Sequence, residues 1–304
     1  MNHSSYLRDP GIYKQNGVFY YTKKNKIVTD PKTLERVNSF VVPPAWKNVW
    51  YASSSRCHIQ VHGIDTGGKK QYILSQKWIN NAKYSKFQRM KTFMKDLGSF
   101  KRKIKLKNVV LNKETLTHLL FNLLLDLHIR VGNEIYVPNS YGLTTLRQKH
   151  LKWVNGKYQF QFIGKSGIEH IVDIPSEYTS WFDKLRGNSQ NKHIFLFQGA
   201  PIQSEDLNEY LKKFMGKEYT CKDFRTYSAN ILFIHSFLKN AKKVLKQTQV
   251  KKCVLHSIDE SAKLLGHTRN ISRKSYISNT LLDYCLDSFD KASKLSTAEL
   301  LGFV

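Results

Sequence analysis

The chain has 304 residues, with 49 Lys and Arg against 23 Asp and Glu, a formal net charge of +26. At 41% hydrophobic and 12% aromatic content it is too apolar for a disordered basic tail and reads as a folded basic protein. A field this positive attracts polyanions, so nucleic acid is the expected partner and a membrane surface the competing one. The longest apolar stretch, His118 to Ile129, is too short to span a bilayer and is interrupted by Asn122, Asp126 and His128. The segment from Met1 to Gly11 lacks the apolar centre of a signal peptide. Cys57, Cys221, Cys253 and Cys285 lie far apart, with neither metal-ligand spacing nor a disulfide framework, which suits a reducing intracellular compartment.

Residues 1–82 read as β-rich. Gly17 to Thr22 and Trp50-Tyr51 are aromatic, β-prone runs, and His58 to His62 alternates apolar with polar residues. Turn signals at Lys24-Asn25-Lys26, Pro43-Pro44 and Thr66-Gly67-Gly68 separate them, with helices predicted at Pro31 to Asn38 and from near Ser75. From residue 83 the pattern turns mostly helical. Residues 83–113 hold 11 basic residues and one acidic one, whereas residues 114–304 hold 26 basic and 18 acidic. The densest run, Lys101 to Lys107, lies between two folded parts, where a basic face on a nucleic-acid channel competes with an ordinary solvated surface. Thr115 to Val131 reads as an apolar helix stopped at Gly132. Tyr158 to Ile174 is two alternating runs around Lys165-Ser166-Gly167, a β-hairpin with Lys165 at its tip. Ser204 opens a predicted helix closed by Gly216, and Asp223 to about Leu245 is a long one. Ser257 to Glu260 has the form of a capping box, starting a helix that ends at Gly266. A final helix is predicted over Tyr276 to Ser288.

Five residues on five of these elements form a chemical set: Arg130, Lys165, Arg225, His267 and Tyr276. Singly, each has an ordinary reading. Arg130 suits a helix C-terminus, Lys165 a solvated turn, His267 a helix cap, and Arg225 a pair with Asp223. Together they suit phosphoryl transfer. Two arginines and a histidine can hold the non-bridging oxygens of a phosphodiester and stabilise a pentacoordinate transition state. A tyrosine oxygen can be the nucleophile, provided a cationic site offsets its ordinary pKa of ~10. A lysine can protonate the departing 5′ oxygen. No metal site and no P-loop pattern is present in the sequence, so neither a cofactor nor ATP is implied.

These residues, with their surroundings, resemble the type IB DNA topoisomerases of the small poxvirus and bacterial kind. Asp9-Pro-Gly-Ile-Tyr13, Pro43-Pro-Ala-Trp46, His58-Ile-Gln60, Gly68-Lys-Lys-Gln-Tyr72 and Lys86-Phe87 are similar to the family's N-terminal domain and linker. Arg130-Val-Gly-Asn133, Asn139 to Leu146, Gly164-Lys-Ser-Gly167, Lys222-Asp-Phe-Arg-Thr226 and Arg273-Lys-Ser-Tyr276 are similar to its catalytic domain. The resemblance implies that Tyr276 attacks the scissile phosphate and joins the DNA 3′ end. Arg130 and Lys165 would donate the proton to the 5′ oxygen, and Arg225 and His267 would clamp the phosphate. It further implies an α+β fold: a small β-rich domain over 1–82 and a larger, mainly helical catalytic domain over 83–304, containing a β-hairpin. The two would close as a C-shaped clamp on duplex DNA. Lys69, Lys70, Gln71, Tyr72, Tyr136 and Lys222 fall at DNA-contact positions, with strand or core packing as the alternative for Gln71, Tyr72 and Tyr136. His267 follows the poxvirus type, where some bacterial members carry Asn. Asn133 replaces a base-contacting lysine of the poxvirus enzymes, so their strict pentanucleotide preference does not carry over with it.

Two other classes compete. A tyrosine recombinase or integrase-like strand transferase uses a related set, but usually has His three residues before the arginine where this chain has Lys222. A non-catalytic DNA-binding protein accounts for the charge but not for all five residues. The expected partner is duplex DNA, with a monomeric enzyme, no membrane association, and a location at sites of replication or transcription or in a virion.

Overall fold

The computed structural model describes residues 10–216 and 218–304. Asp9, which begins one of the quoted motifs, and most of the segment read for a leader lie outside them. Two compact units divide the chain, with the boundary between Lys86 and Phe87. The first is built on an antiparallel sheet of β1 (Ile12–Gln15), β2 (Val18–Tyr21), β3 (Lys26–Ile27), β4 (Lys47–Tyr51), β5 (Ile59–Ile64) and β6 (Lys70–Leu74), in the order β3-β2-β1-β4-β5-β6. One helix, α1 (Pro31–Asn38), opens where Asp30 accepts from the Thr33 amide at 2.8 Å, with Pro31 in the first turn. Ile12, Phe19, Val28, Val37, Tyr51 and Val61 form the core between sheet and helix. Arg36 of α1 reaches over the sheet and donates to Gln60 Oε1 at 2.7 Å and to the Ala52 carbonyl at 2.8 Å. Gln60 is buried and donates onward to the Cys57 carbonyl at 2.7 Å, so it serves packing.

The second unit begins within α2 (Gln76–Lys103). Met90, Phe93, Leu97, Phe100 and Ile104 recur at helical spacing and are buried, while Lys91, Lys95, Lys101, Arg102, Lys103, Lys105 and Lys107 are exposed. That division satisfies the hydrophobic effect and the charge density of the same segment at once. The next helix, α3 (Lys113–Leu127), is buried on nearly every side and forms the centre of the core. Next comes a three-stranded antiparallel sheet of β7 (Leu151–Val154), β8 (Lys157–Ile163) and β9 (Glu169–Asp173), in which β8–β9 is the expected hairpin. After it follow α4 (Thr179–Leu185), the short pair β10 (Leu196–Phe197) and β11 (Ala200–Pro201), α5 (Ser204–Phe214), α6 (Cys221–Ala241), α7 (Val250–Leu264), α8 (Arg269–Ser275), α9 (Asn279–Asp287), α10 (Phe289–Ala292) and α11 (Thr297–Leu301). The fold is α+β, a small sheet-based unit and a larger helical one. The four cysteines are buried, with no disulfide between them. Among the described residues no helix is long and apolar enough to cross a membrane.

Three sequence expectations are corrected. The apolar helix stops at Leu127, four residues before Val131, because His128 adopts a left-handed conformation with φ 54°. The His128 ring bonds to Ser228 Oγ at 2.9 Å, and its carbonyl accepts from Arg225. Arg130 therefore lies beyond the helix, in no helix or strand. The expected capping box at Ser257 is the middle of α7: Ser257 Oγ donates to the Cys253 carbonyl at 2.8 Å, and Glu260 bonds to Asn240 at 2.9 Å. The expected Tyr276–Ser288 helix is broken, with Tyr276 capping α8 and α9 starting only at Asn279.

The chain carrying Arg130 is fixed by close backbone contact. Leu143 donates to the Arg130 carbonyl at 2.8 Å and Thr144 to the Val131 carbonyl at 2.7 Å. A Cβ at Gly142 would lie 2.6 Å from Gly132 Cα and 2.7 Å from the Arg130 carbonyl oxygen, and backbone atoms cannot swing aside. Gly142→Ala is accordingly expected to cost about 1–3 kcal/mol of overpacking strain. Urea unfolding checks this, and a midpoint equal to the parent's would contradict the contact.

Candidate active site

Arg225 sits near the start of α6, 7% exposed, and its guanidinium joins two chain segments. Nη1 donates to the His128 carbonyl at 2.9 Å and Nη2 donates to the Leu265 carbonyl. The first contact anchors the segment before Arg130, and the second anchors the turn before His267. Nε and Nη2 also approach His267 Nε2, at 3.2 and 2.8 Å. A guanidinium only donates, so Nε2 accepts, and the proton of His267 lies on Nδ1, 3.2 Å from Ser272 Oγ. Asp223, the carboxylate nearest Arg225 in sequence, pairs instead with Arg89 at 3.0 Å.

Tyr276 completes the cluster. Its ring stacks on His267 with centroids 4.5 Å apart and planes 19° apart, and the Arg225 guanidinium carbon is 6.0 Å from its centroid. Arg130 and Arg225 both lie close enough for their charges to act on the phenol. The Tyr276 carbonyl accepts from Asn230 Nδ2 at 3.0 Å, and Asn230 Oδ1 accepts from the Ser278 amide at 2.9 Å. Asn230 is fully buried on α6, five residues from Arg225, so one helix places both a cation and the tyrosine backbone. Lys165 is exposed at the β8–β9 tip, and its charge acts on His267. The five expected residues thus gather in the second unit, from five places in the chain.

The electrostatics follow from burying cations together. Burial first, then repulsion from Arg225, Arg130, His170 and Lys165, pushes His267 down to about 3. Burial and the neighbouring Arg130 lower Arg225 to about 10, while Tyr276 opposes the shift. Burial likewise lowers Arg130. The site concentrates positive charge around a phenol oxygen, an arrangement suited to an anion beside that oxygen. His128, Asn230 and Ser272 were not singled out by sequence. An asparagine on an apolar helix face was the available signal for Asn230, while His128 and Ser272 carry none.

The other expected DNA-contact residues are mostly at the surface. Lys69 and Lys70 are exposed, and the Lys70 ammonium lies 5.8 Å from the ring of Tyr72, itself 46% exposed. Gln71 donates to Asp65 Oδ2 at 2.7 Å. Tyr136 is 56% exposed, on the single turn Glu134–Tyr136. Lys222 is exposed on α6, three residues before buried Arg225.

Comparison with known proteins places this geometry. Residues 75–297 match the family described as the catalytic core of eukaryotic DNA topoisomerase I, and residues 17–65 match the N-terminal domain of bacterial DNA topoisomerase IB. The DNA topoisomerase 1B of Acanthamoeba polyphaga mimivirus is 32% identical over 292 residues, 90% of this chain and 87% of that one. The DNA topoisomerase 1B of vaccinia virus strain Copenhagen is 27% identical over 252 residues, covering 80% and 78%. A solved XerH site-specific recombinase bound to a palindromic difH substrate has a TM-score of 0.38 at 16% identity, covering 75% and 59%, a likeness that carries no argument. The chain belongs to the type IB DNA topoisomerases, in their small viral and bacterial form.

Titration of the site has a stability consequence. The ordinary histidine pKa is ~6.5. In the fold His267 is held near 3 and His128 near 4. Between those values and 6.5 the unfolded chain binds protons that the folded chain does not. Their contribution is complete above pH 6.5 and is lost as pH falls toward 3. The urea midpoint should therefore drop between pH 7.5 and 5, and His267→Asn should flatten part of that slope. Identical slopes would contradict a buried neutral imidazole.

Proposed function

We propose that Tyr276 is the nucleophile with which this type IB topoisomerase opens one strand of duplex DNA. The observation that carries the reading is the Tyr276 ring stacked on His267, with the Arg225 guanidinium carbon 6.0 Å from its centroid and the charge of Arg130 acting on the same phenol. The phenol oxygen attacks the scissile phosphorus and loses its proton to water. A bond forms from phosphorus to tyrosine, and the bond from phosphorus to the 5′ oxygen breaks. Lys165, the exposed cation at the hairpin tip, gives that 5′ oxygen its proton. Arg130 supports the same transfer, since burial lowers its hold on its proton. The 3′ end is then a phosphotyrosine, the strand rotates about its intact partner, and the 5′ hydroxyl reverses the step. Neither ATP nor a metal ion takes part in this reading.

Arg225 and His267 act as the phosphate clamp. In the DNA-free state His267 Nε2 accepts from Arg225 and has no proton to donate. A phosphodiester is a stronger acceptor for Arg225, and its negative charge raises the proton affinity of the imidazole. His267 then takes a proton on Nε2 and donates to a non-bridging oxygen. In the same reading residues 83–304 are the catalytic domain and residues 1–82 bind DNA. Lys69, Lys70, Gln71 and Tyr72 contact the duplex from residues 1–82, and Tyr136 and Lys222 from residues 83–304. The enzyme works as a monomer inside the cell or virion.

Supercoiled plasmid should be relaxed in EDTA without ATP, and the activity should fall steeply with salt, because cationic contacts to phosphate release counterions. Tyr276→Phe should abolish both relaxation and the covalent protein–DNA adduct on a suicide substrate. An adduct that persists in Tyr276→Phe removes Tyr276 as nucleophile.

A further inference from the structure

We infer that His170 is a positioning residue that holds the Lys165 hairpin tip in register with the His267 turn. The inference rests on the reading of Lys165 as proton donor. His170 lies on β9, paired across the hairpin with Phe162, and the two rings stack at 4.9 Å with planes 9° apart. The free edge of the imidazole meets glycines on two separate segments. A Cβ at Gly164 would lie 2.7 Å from His170 Cδ2 and Nε2. A Cβ at Gly266 would lie 2.7 Å from Cε1 and 3.1 Å from Nε2 of the same ring. Gly164 immediately precedes Lys165, and Gly266 immediately precedes His267. One ring therefore fills the space between the backbones of two chemistry-bearing segments.

The hairpin tip needs such a spacer. Its own hydrogen bonds, from the Gly164 amide to the Ile168 carbonyl at 2.8 Å and from the Gly167 amide to the Gly164 carbonyl at 3.2 Å, close the turn without linking it to the site. Ser166 and Gly167 follow with φ of 67° and 71°, and Lys165 itself is exposed. Ile168 adds a second contact, its Cγ2 3.6 Å from a Cβ at Gly266. His170 is not used by the phosphate chemistry above, although Arg225 and Arg130 lie close enough to lower its proton affinity after burial. Its neutral ring can sit against glycine backbone among these cations where a charged or flexible side chain would not. Proton transfer depends on ångström-scale placement of donor and leaving oxygen, so loss of the spacer is felt chiefly at the proton-transfer step.

Single-turnover cleavage of a suicide duplex tests this, with an ordinary scissile phosphate and with a 5′-bridging phosphorothiolate, whose sulfur leaves without protonation. His170→Ala should slow the ordinary substrate by about 10- to 100-fold while cleaving the phosphorothiolate within a few-fold of the parent. His170→Phe, which keeps a stacked ring, should retain most of the ordinary rate. Gly164→Ala, whose methyl displaces the ring, should repeat the His170→Ala pattern and serves if that variant does not fold. Lys165→Ala is the reference for a lost donor. If Lys165→Ala is rescued by sulfur but His170→Ala and Gly164→Ala are slowed equally on both substrates, or not slowed at all, the positioning role is wrong. If Lys165→Ala itself is not rescued, the proton-donor reading fails and this inference falls with it.

Discussion

The second unit is organised around a buried guanidinium. Arg225 directs its donors to the carbonyls of His128 and Leu265 and to the ring of His267. Each of those contacts lies within two residues of a member of the cationic cluster or is one. A buried arginine is costly unless its donors are satisfied, and the cheapest partners here are carbonyls at the ends of two helices. Satisfying Arg225 therefore draws the end of α3, the end of α7 and the start of α6 together. Lysine at this position could not serve three directions with one planar group.

The tyrosine is held from a different direction. Asn230, one and a half turns further along α6, bonds to the Tyr276 carbonyl and the Ser278 amide at the break between α8 and α9. The side chain then lies within reach of the charges of Arg130 and Arg225, with His267 against its face. Backbone and side chain are thus fixed by separate groups, with Asn230 and Arg225 both carried by α6. Lys165 differs, because it projects from a turn closed only by its own hydrogen bonds. The buried part of the site suits an anion, and the exposed lysine depends on what packs behind it.

Much of the architecture was legible locally. The β8–β9 hairpin followed from period-two alternation around a Lys-Ser-Gly tip, and α1 from an aspartate followed by proline. Those features rest on neighbours within a few residues. Two of the three misread boundaries depend on distant partners. Helix α3 ends at His128 because Ser228 and Arg225, about a hundred residues away, bind its ring and carbonyl. Ser257 looks like a cap in the sequence, but its hydroxyl is spent on the preceding turn of a continuous helix. By its pattern Tyr276 begins a helix, yet Asn230 holds the chain in a break there.

The sequence by itself determined a basic, folded, two-part protein, and it determined the identity of five residues able to move a phosphoryl group. Composition suffices for the first. The second rests on the ordered motifs that resemble the type IB family, since each of the five residues taken singly has an ordinary reading. Only the tertiary structure decided that Arg225, His267 and Tyr276 come together through one guanidinium and a stacked ring, that His267 is neutral there, and that the His170 ring lies between the backbones of two loops. The contacts of Arg225 join residues 40 to 97 positions apart. Their strength comes from burial and mutual geometry, neither of which has a value until the chain has folded.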